Sequence, residues 1–394
     1  DPSEHNVIAV WAVARPPDYQ SAPPGIAWAA SADGSTIAEV VPVWTDFPPP
    51  SDPDTVQARD PYTAQTTQIL VRDGRTGAIR RAITPHGWVA WPQLSADGTR
   101  LLVADGSHQT ALVYNAKTGD LVSTLNIGPQ VSPVPEGSSP TQIGPQAWLA
   151  PDMSRRYTLG PPSAYPAGTT PPAQLVAYDL TSGAVVGQLS LPEARSGAFQ
   201  TTVTMNGRSV AVPVVLDPGL AISPDGRQLA VVATDTGTVT VTLVDAAHLT
   251  IERTFTAKPP TGLVRRALAW LGVTPHDAAA KGSGPIAAPA AIYAPDGKSL
   301  YVFGSEMNTA SPYPDRDLGI QRISLVSGTI AATLPSTQRI VGITQIIPSP
   351  DGGSLYVISQ GSTAMLRRLD ARTLTVQATR SFDTLPWIVV RSGG

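Results

Sequence analysis

The chain has 394 residues, of which 42% are hydrophobic and 14% charged, with a net charge of −3 and no cysteine. These numbers exclude a basic field for nucleic acid or an anionic membrane. They also exclude disulfides, thiolate metal sites and a cysteine nucleophile. No apolar run reaches the roughly 18 residues of a membrane helix, and 40 prolines argue against a helical protein because proline breaks helix interiors.

The chain opens on DPSEHN, without a Met or a signal-peptide pattern, which points to a processed or excised chain whose signal or anchor is no longer present. A strand-like segment follows, NVIAVWAVAR (6–15), and then the first of a series of short turns. The series runs Ser31-Ala-Asp33-Gly34, Ser95-Ala-Asp97-Gly98, Ala150-Pro-Asp152-Met153, Ser223-Pro-Asp225-Gly226, Ala294-Pro-Asp296-Gly297 and Ser349-Pro-Asp351-Gly352. Proline presets such a turn, Asp bonds its own backbone, and Gly supplies positive φ. All but the third are followed by short β-type runs such as TIAEVV, RLLVAD, QLAVVA, SLYVFG and SLYVIS.

A second turn follows each first one: Asp73–Gly77, Asn115–Gly119, Asp179–Gly183, Asp245–Leu249, Ser324–Gly328 and Asp370–Leu374, each flanked by strand-like runs. One unit therefore reads strand, Asp-Gly turn, strand, connection, strand, Asp-x-x-Thr-Gly turn, strand. That is four antiparallel strands, one blade of a β-propeller. Six full units are present, and TTVTMNGRSVAVPVV (201–215), with its Asn206-Gly207 turn, reads as a degenerate seventh. Without the long connections roughly 290 residues remain, about seven blades at about 40–45 residues each. Seven blades are expected, and six remain open. The terminal LPWIVVRSGG would pair with the first strand-like segment and close the ring.

The whole of residues 1–394 is read as one all-β propeller domain with long insertions at 42–64, 129–146, 160–173, 258–289 and 304–318. In a four-stranded blade all motif turns fall on one face, and all five insertions fall on the other. Loops of that kind carry function more often than turns do. One short helix is expected in 258–289, capped by Thr261, with Leu263, Ala267, Trp270 and Leu271 at helical spacing and Gly272 and Pro275 ending it.

The paired turns resemble those of the bacterial YVTN-repeat, WD40-like seven-bladed propellers. LYVFG and LYVIS stand where that class has its Tyr-Val-x-Asn strand, but the Asn is missing from both. The resemblance implies a propeller and, with the processed start, an extracytoplasmic place: secreted, periplasmic or at the cell surface. It leaves activity open, because the class includes both enzymes and binding proteins.

First strands line a propeller's central channel, and Trp28, Trp88, Trp91, Trp148 and Trp387 fall in or just before them. They would form an aromatic funnel for a flat ligand, or pack between blades. His86 precedes a first strand and would reach the channel mouth. The five histidines show no His-x-Glu or His-Glu-x-x-His spacing. Asp52, Asp54 and Asp60, or Asp315 and Asp317, would offer oxygens to Ca²⁺, but the Asp-x-Asx-x-Asx-Gly loop is absent. No catalytic residue, metal ligand or cofactor is assigned. The leading expectation is a non-enzymatic binding or scaffold module, contacting a protein or glycan through its long-loop face. A hydrolase or lactonase-like enzyme at the channel mouth and a self-assembling surface or filament subunit are the alternatives.

Overall fold

A computed structural model describes residues 27–31, 34–43, 66–87, 89–95, 97–105, 110–126, 146–162, 165–166, 168–205, 208–235, 238–257, 286–307, 315–334, 340, 343–360 and 363–382. These residues form strands and turns with no helix. The short helix of 258–289, the closing segments at both termini and most of the long connections lie outside the described residues.

Six sheets repeat one pattern, each with its strands antiparallel and in chain order. Blade one holds β1 (Ala27–Ala30), β2 (Thr36–Val43), β3 (Thr66–Asp73) and β4 (Ile79–Ile83). Blade two holds β5 (Val89–Leu94), β6 (Arg100–Asp105), β7 (Thr110–Asn115) and β8 (Leu121–Asn126). Blade three holds β9 (Gln146–Leu149), β10 (Arg155–Gly160), β11 (Pro172–Asp179) and β12 (Val185–Arg195). After an extra hairpin, β13 (Gly197–Met205) and β14 (Arg208–Leu216), comes blade four: β15 (Gly219–Ile222), β16 (Gln228–Asp235), β17 (Thr238–Asp245) and β18 (Thr250–Thr256). The short β19 (Ile286–Ala287) leads into blade five, which holds β20 (Pro289–Tyr293), β21 (Ser299–Met307), β23 (Gln321–Ser324) and β24 (Thr329–Thr333), with β22 (Asp315–Asp317) paired to the far end of β21. Blade six holds β25 (Ile343–Pro348), β26 (Ser354–Gln360), β27 (Ala364–Asp370) and β28 (Val376–Phe382).

The segment expected to be a seventh blade is thus a two-stranded hairpin, and the described residues contain six blades. Its strands pair over nine residues without a bulge, from Gly197↔Leu216 to Met205↔Arg208. It lacks the second turn that every blade carries. Among the described strands its other neighbour is β19, which pairs in parallel with the end of β14.

Both motif turns have constant geometry. In the first, the amides of Gly34, Gly98, Met153, Gly226, Gly297 and Gly352 each donate to the carbonyl three residues back, at 2.8–2.9 Å. All six residues have positive φ, 56–72°, including Met153. Where Ser opens the turn, its Oγ accepts the amide five residues on, as from Gln228 to Ser223 at 2.9 Å. In the second turn the Asp or Asn side chain accepts the next amides, as Asp370 Oδ1 does from Arg372 (3.0 Å) and Thr373 (2.7 Å). The fifth position again has positive φ: Gly in four blades, Leu249 (51°) and Leu374 (62°) in the others.

Second strands are buried on both faces, which is why their sequences are continuous apolar runs rather than alternating ones. In β16, Leu229 and Val231 face blade three while Ala230 and Val232 face blade five. Each of the five successive blade pairs shares its own core cluster. First strands of neighbouring blades touch, β1 with β5, β9 with β15 and β15 with β20, so they lie innermost. Fourth strands are largely exposed and outermost. All six bulge at one place. Arg80, Val122, Val186, Glu252, Ala331 and Gln377 are the extra residues, each just after the apolar residue six beyond the opening Asp, Asn or Ser of the second turn. A bulge there twists an outer edge away from pairing with another sheet.

The second turns of blades three to six are each gripped by the preceding blade. Tyr157 of blade three donates its hydroxyl to the Ala246 carbonyl in the second turn of blade four, at 2.9 Å. Tyr301 of blade five does the same to Ala371 of blade six, at 3.0 Å. Two residues past the apolar bulge position, Ser123 donates to Leu180 O (3.3 Å) and Arg253 to Leu325 O (3.0 Å), again from one blade to the next.

Candidate functional site: the long-connection face

The antiparallel order puts the motif turns on one face and the strand ends that lead into the two–three and blade-to-blade connections on the other. The described part of the second face is built up over blades three to five. Strand β12 runs on past its blade, and Ser196 then turns the chain into the β13–β14 hairpin. The Ser196 amide donates to Pro171 O at 3.0 Å, and Arg195 Nη1 donates to Thr170 O at 3.0 Å. Both acceptors belong to the β10–β11 connection, so that connection is tied to the hairpin's base. Gly197 has φ 130°, and a Cβ there would sit 2.9 Å from Thr169 O and 3.3 Å from the Tyr165 ring, so only glycine fits.

The second strand of the hairpin is fixed at the same base, to β19, which leads into blade five. Val215 and Leu216 pair with Ile286 and Ala287. Beside that point the Ala288 amide donates to Ser305 Oγ at 3.2 Å, and a Cβ on Gly304 would meet Ala288 O at 2.4 Å. Past Gly304, β21 continues outward and pairs with β22, from Ser305↔Asp317 to Met307↔Asp315. Part of the 304–318 insertion is therefore strand, not loop. Toward the hairpin tip Gln200, Thr202, Ser209 and Ala211 are exposed, all of them uncharged.

The residues expected at the channel are scattered among different situations. Trp148 lies in β9, partly buried, and packs against the cluster shared by blades three and four. His86 is exposed just before blade two. Trp28 and Trp91 fall in β1 and β5, but their side chains lie outside the described residues, as do Trp88 and Trp387 entirely. Of the other histidines, His248 is exposed in a second turn, where its Nδ1 lies 2.9 Å from Asp245 Oδ1. Among the described residues no three His, Asp or Glu side chains gather in a metal-holding group.

The perturbed carboxylates sit in the motif turns. Asp225 is held below the usual carboxylate range by the Ser223 hydroxyl and the Arg227 amide, and Asp179 and Asp370 by the amides of Ser182 and Thr373. Their cause is turn geometry, a structural source of pKa shifts. One buried charge was not legible beforehand: Arg156 in β10. It is 3% exposed and points away from blade four, toward blade two, because its neighbour Tyr157 packs into the blade three–four cluster. Burial pulls its pKa down to about 10, and its Nε and Nη1 have no hydrogen-bond partner. In the sequence it reads as an ordinary strand opening.

Sheet order, blade packing and turn geometry together define a β-propeller, with six four-stranded blades and an elaborated face among the described residues. The chain is similar to Kuenenia stuttgartiensis hydrazine synthase, at TM-score 0.52 and 14% identity over 91% of this chain and 80% of that one. It is also similar to a chain of a mitotic checkpoint complex (TM-score 0.48, 13% identity, 97% and 88% covered). A third likeness is to the Cps50 (Swd1) β-propeller domain of Myceliophteria thermophila (TM-score 0.45, 10% identity, 91% and 87% covered). At 14% identity the likeness to the hydrazine synthase chain shows the fold alone. No protein-family model matches the chain, and no curated protein does.

Proposed function

We propose that this propeller is a non-catalytic, extracytoplasmic scaffold that binds a protein partner through its long-connection face. One observation carries the reading: the extra chain that the structure describes, the β13–β14 hairpin with the β10–β11 connection, stands on the long-connection face and is fixed there by specific bonds rather than left as ornament. The hairpin is anchored at both strands of its base, to the β10–β11 connection and to β19, and it bridges blades three to five. Its exposed Gln200, Thr202, Ser209 and Ala211 carry no charge to desolvate when a partner covers them. Rigid loops on a rigid ring lower the ordering cost of association.

The test uses the intact chain isolated from its source with bound proteins, followed by cross-linking to map the contact. Thr202→Arg and Ala211→Arg on the hairpin are expected to release the partner, and Arg227→Glu on the opposite face to leave it bound. Release by Arg227→Glu with retention by both hairpin variants would reverse the assignment of faces.

A further inference from the structure

A cavity of about 490 Å³ opens on the motif-turn face, in the wedge between blades five and six. The other blade junctions show why it is there. Between blades one and two a Cβ on Gly98 would lie 2.8 Å from Thr36 Oγ1, and between blades three and four a Cβ on Gly226 would lie 2.7 Å from Pro151 Cδ. At Gly297 and Gly352, the same place at the four–five and five–six junctions, a Cβ would meet nothing within 4 Å, so there a side chain has to fill the wedge. The plug is what differs. At the blade three–four junction Arg155 opens the second strand and spans the wedge, its Nη1 donating to Ala246 O (3.2 Å) and Ala247 O (2.7 Å). Gln228 holds that place at the blade four–five junction, bonded to Tyr293 and Glu252. The matching residue in blade five is Ser299, too short to cross.

Into this unfilled wedge comes Arg322 from β23. Its Nη2 donates to Ser299 Oγ at 3.1 Å, its Nε is buried with no hydrogen-bond partner, and no carboxylate pairs with it among the described residues. Arg372 lies at the rim, Asp296 and Asp351 stand in the first turns on opposite sides, and Pro295 and Pro350 form apolar walls. Tyr301 is at the back, its hydroxyl already donated to Ala371 O. A small ligand here needs a carboxylate for the guanidinium groups, hydroxyl donors for the aspartates and a flat C–H face for the prolines. We propose that the wedge between blades five and six is a binding site for a uronic acid, on the face opposite the protein-binding one and independent of it.

The probe is D-glucuronate, titrated into the full chain by calorimetry, with D-glucose and acetate as controls. Saturable binding is expected for glucuronate, at least tenfold weaker for glucose, which lacks the carboxylate, and for acetate, which lacks the hydroxyls. Arg322→Gln and the exposed-site Arg372→Gln should each weaken glucuronate at least fivefold. Ser299→Arg, which installs the plug of the blade three–four junction, should abolish binding while thermal unfolding shows an intact fold. No saturable glucuronate binding, equal binding of glucose, or undiminished binding to Arg322→Gln, Arg372→Gln and a folded Ser299→Arg protein would each overturn the proposal. Should Ser299→Arg or Arg322→Gln fail to fold, Arg372→Gln decides alone.

Discussion

Leu374→Gly sets two physical terms against each other. Leu374 ends the second turn of blade six with φ 62°, where four other blades use Gly. Left-handed backbone costs an L-residue about 1–2 kcal/mol, which Gly avoids. The Leu374 side chain, however, is 0% exposed in the cluster joining blades five and six, against Tyr301, Leu355 and Leu369. Removing a buried leucine costs about 2–5 kcal/mol through lost burial and the cavity left behind. Gly also restores about 0.5–1 kcal/mol of chain entropy to the unfolded state. The net expectation is a loss of about 2–4 kcal/mol. Turn geometry alone would give a gain of about 1 kcal/mol, so the two views differ in sign. Urea unfolding monitored by tryptophan fluorescence, with circular dichroism as a second probe of cooperativity, measures it. A Leu374→Gly protein as stable as the parent, or more stable, would show that the turn conformation and not blade packing decides this position.

Other outcomes follow from the same contacts. Gly187→Ala would place a Cβ 2.7 Å from Leu249 Cδ1 and should destabilise by about 1–3 kcal/mol. Much of that loss should vanish in a Leu249→Ala background, as a double-mutant cycle would show. Tyr157→Phe and Tyr301→Phe each remove one inter-blade hydrogen bond and should cost about 1 kcal/mol apiece in denaturant titrations, additively because they serve different junctions. Arg156→Leu should raise stability by about 1–3 kcal/mol, since it replaces a buried guanidinium lacking bonds at Nε and Nη1. A fall instead would reveal a counter-charge outside the described residues. The turn aspartates have folded pKa values below their ordinary 3.8, so their stabilisation is complete above that value and drains away as pH falls through the lower folded values. Thermal unfolding should therefore hold steady from neutral pH to about 5 and drop steeply below about 4, and Asp225→Asn with Asp370→Asn should flatten that drop.

What the sequence disclosed was what repeats. Both turns depend on residues adjacent in the chain: Ser223 Oγ holds Gln228, Asp370 holds Thr373, and Gly226 takes the positive φ. Six copies of such local chemistry were enough to place the blades and the two faces. The hairpin at 197–216 was legible as two strands and a turn but not as standing outside a blade, because a strand–turn–strand segment looks the same whether or not two more strands lie beside it. The wedge at Ser299 and the inward turn of Arg156 were illegible for another reason. Each depends on which side chain a neighbouring blade brings to the same place, and a single chain pattern does not carry that pairing. The common bulge in the outer strands is similar: Ile79 and Val376 are visible as apolar positions, while the register shift beside them is not.

This interlock gives the ring a property of an assembly line. Blades two to five each grip the next one, by Ser123, Tyr157, Arg253 and Tyr301, and the gripped blade presents its second turn for it. Both halves of the joint lie within one unit of sequence. Blades cut out at motif boundaries and spliced in elsewhere would thus arrive with a matching fastening at either end. Cargo as large as the β13–β14 hairpin can be hung between two of them, because it leaves from the face opposite the gripped second turns.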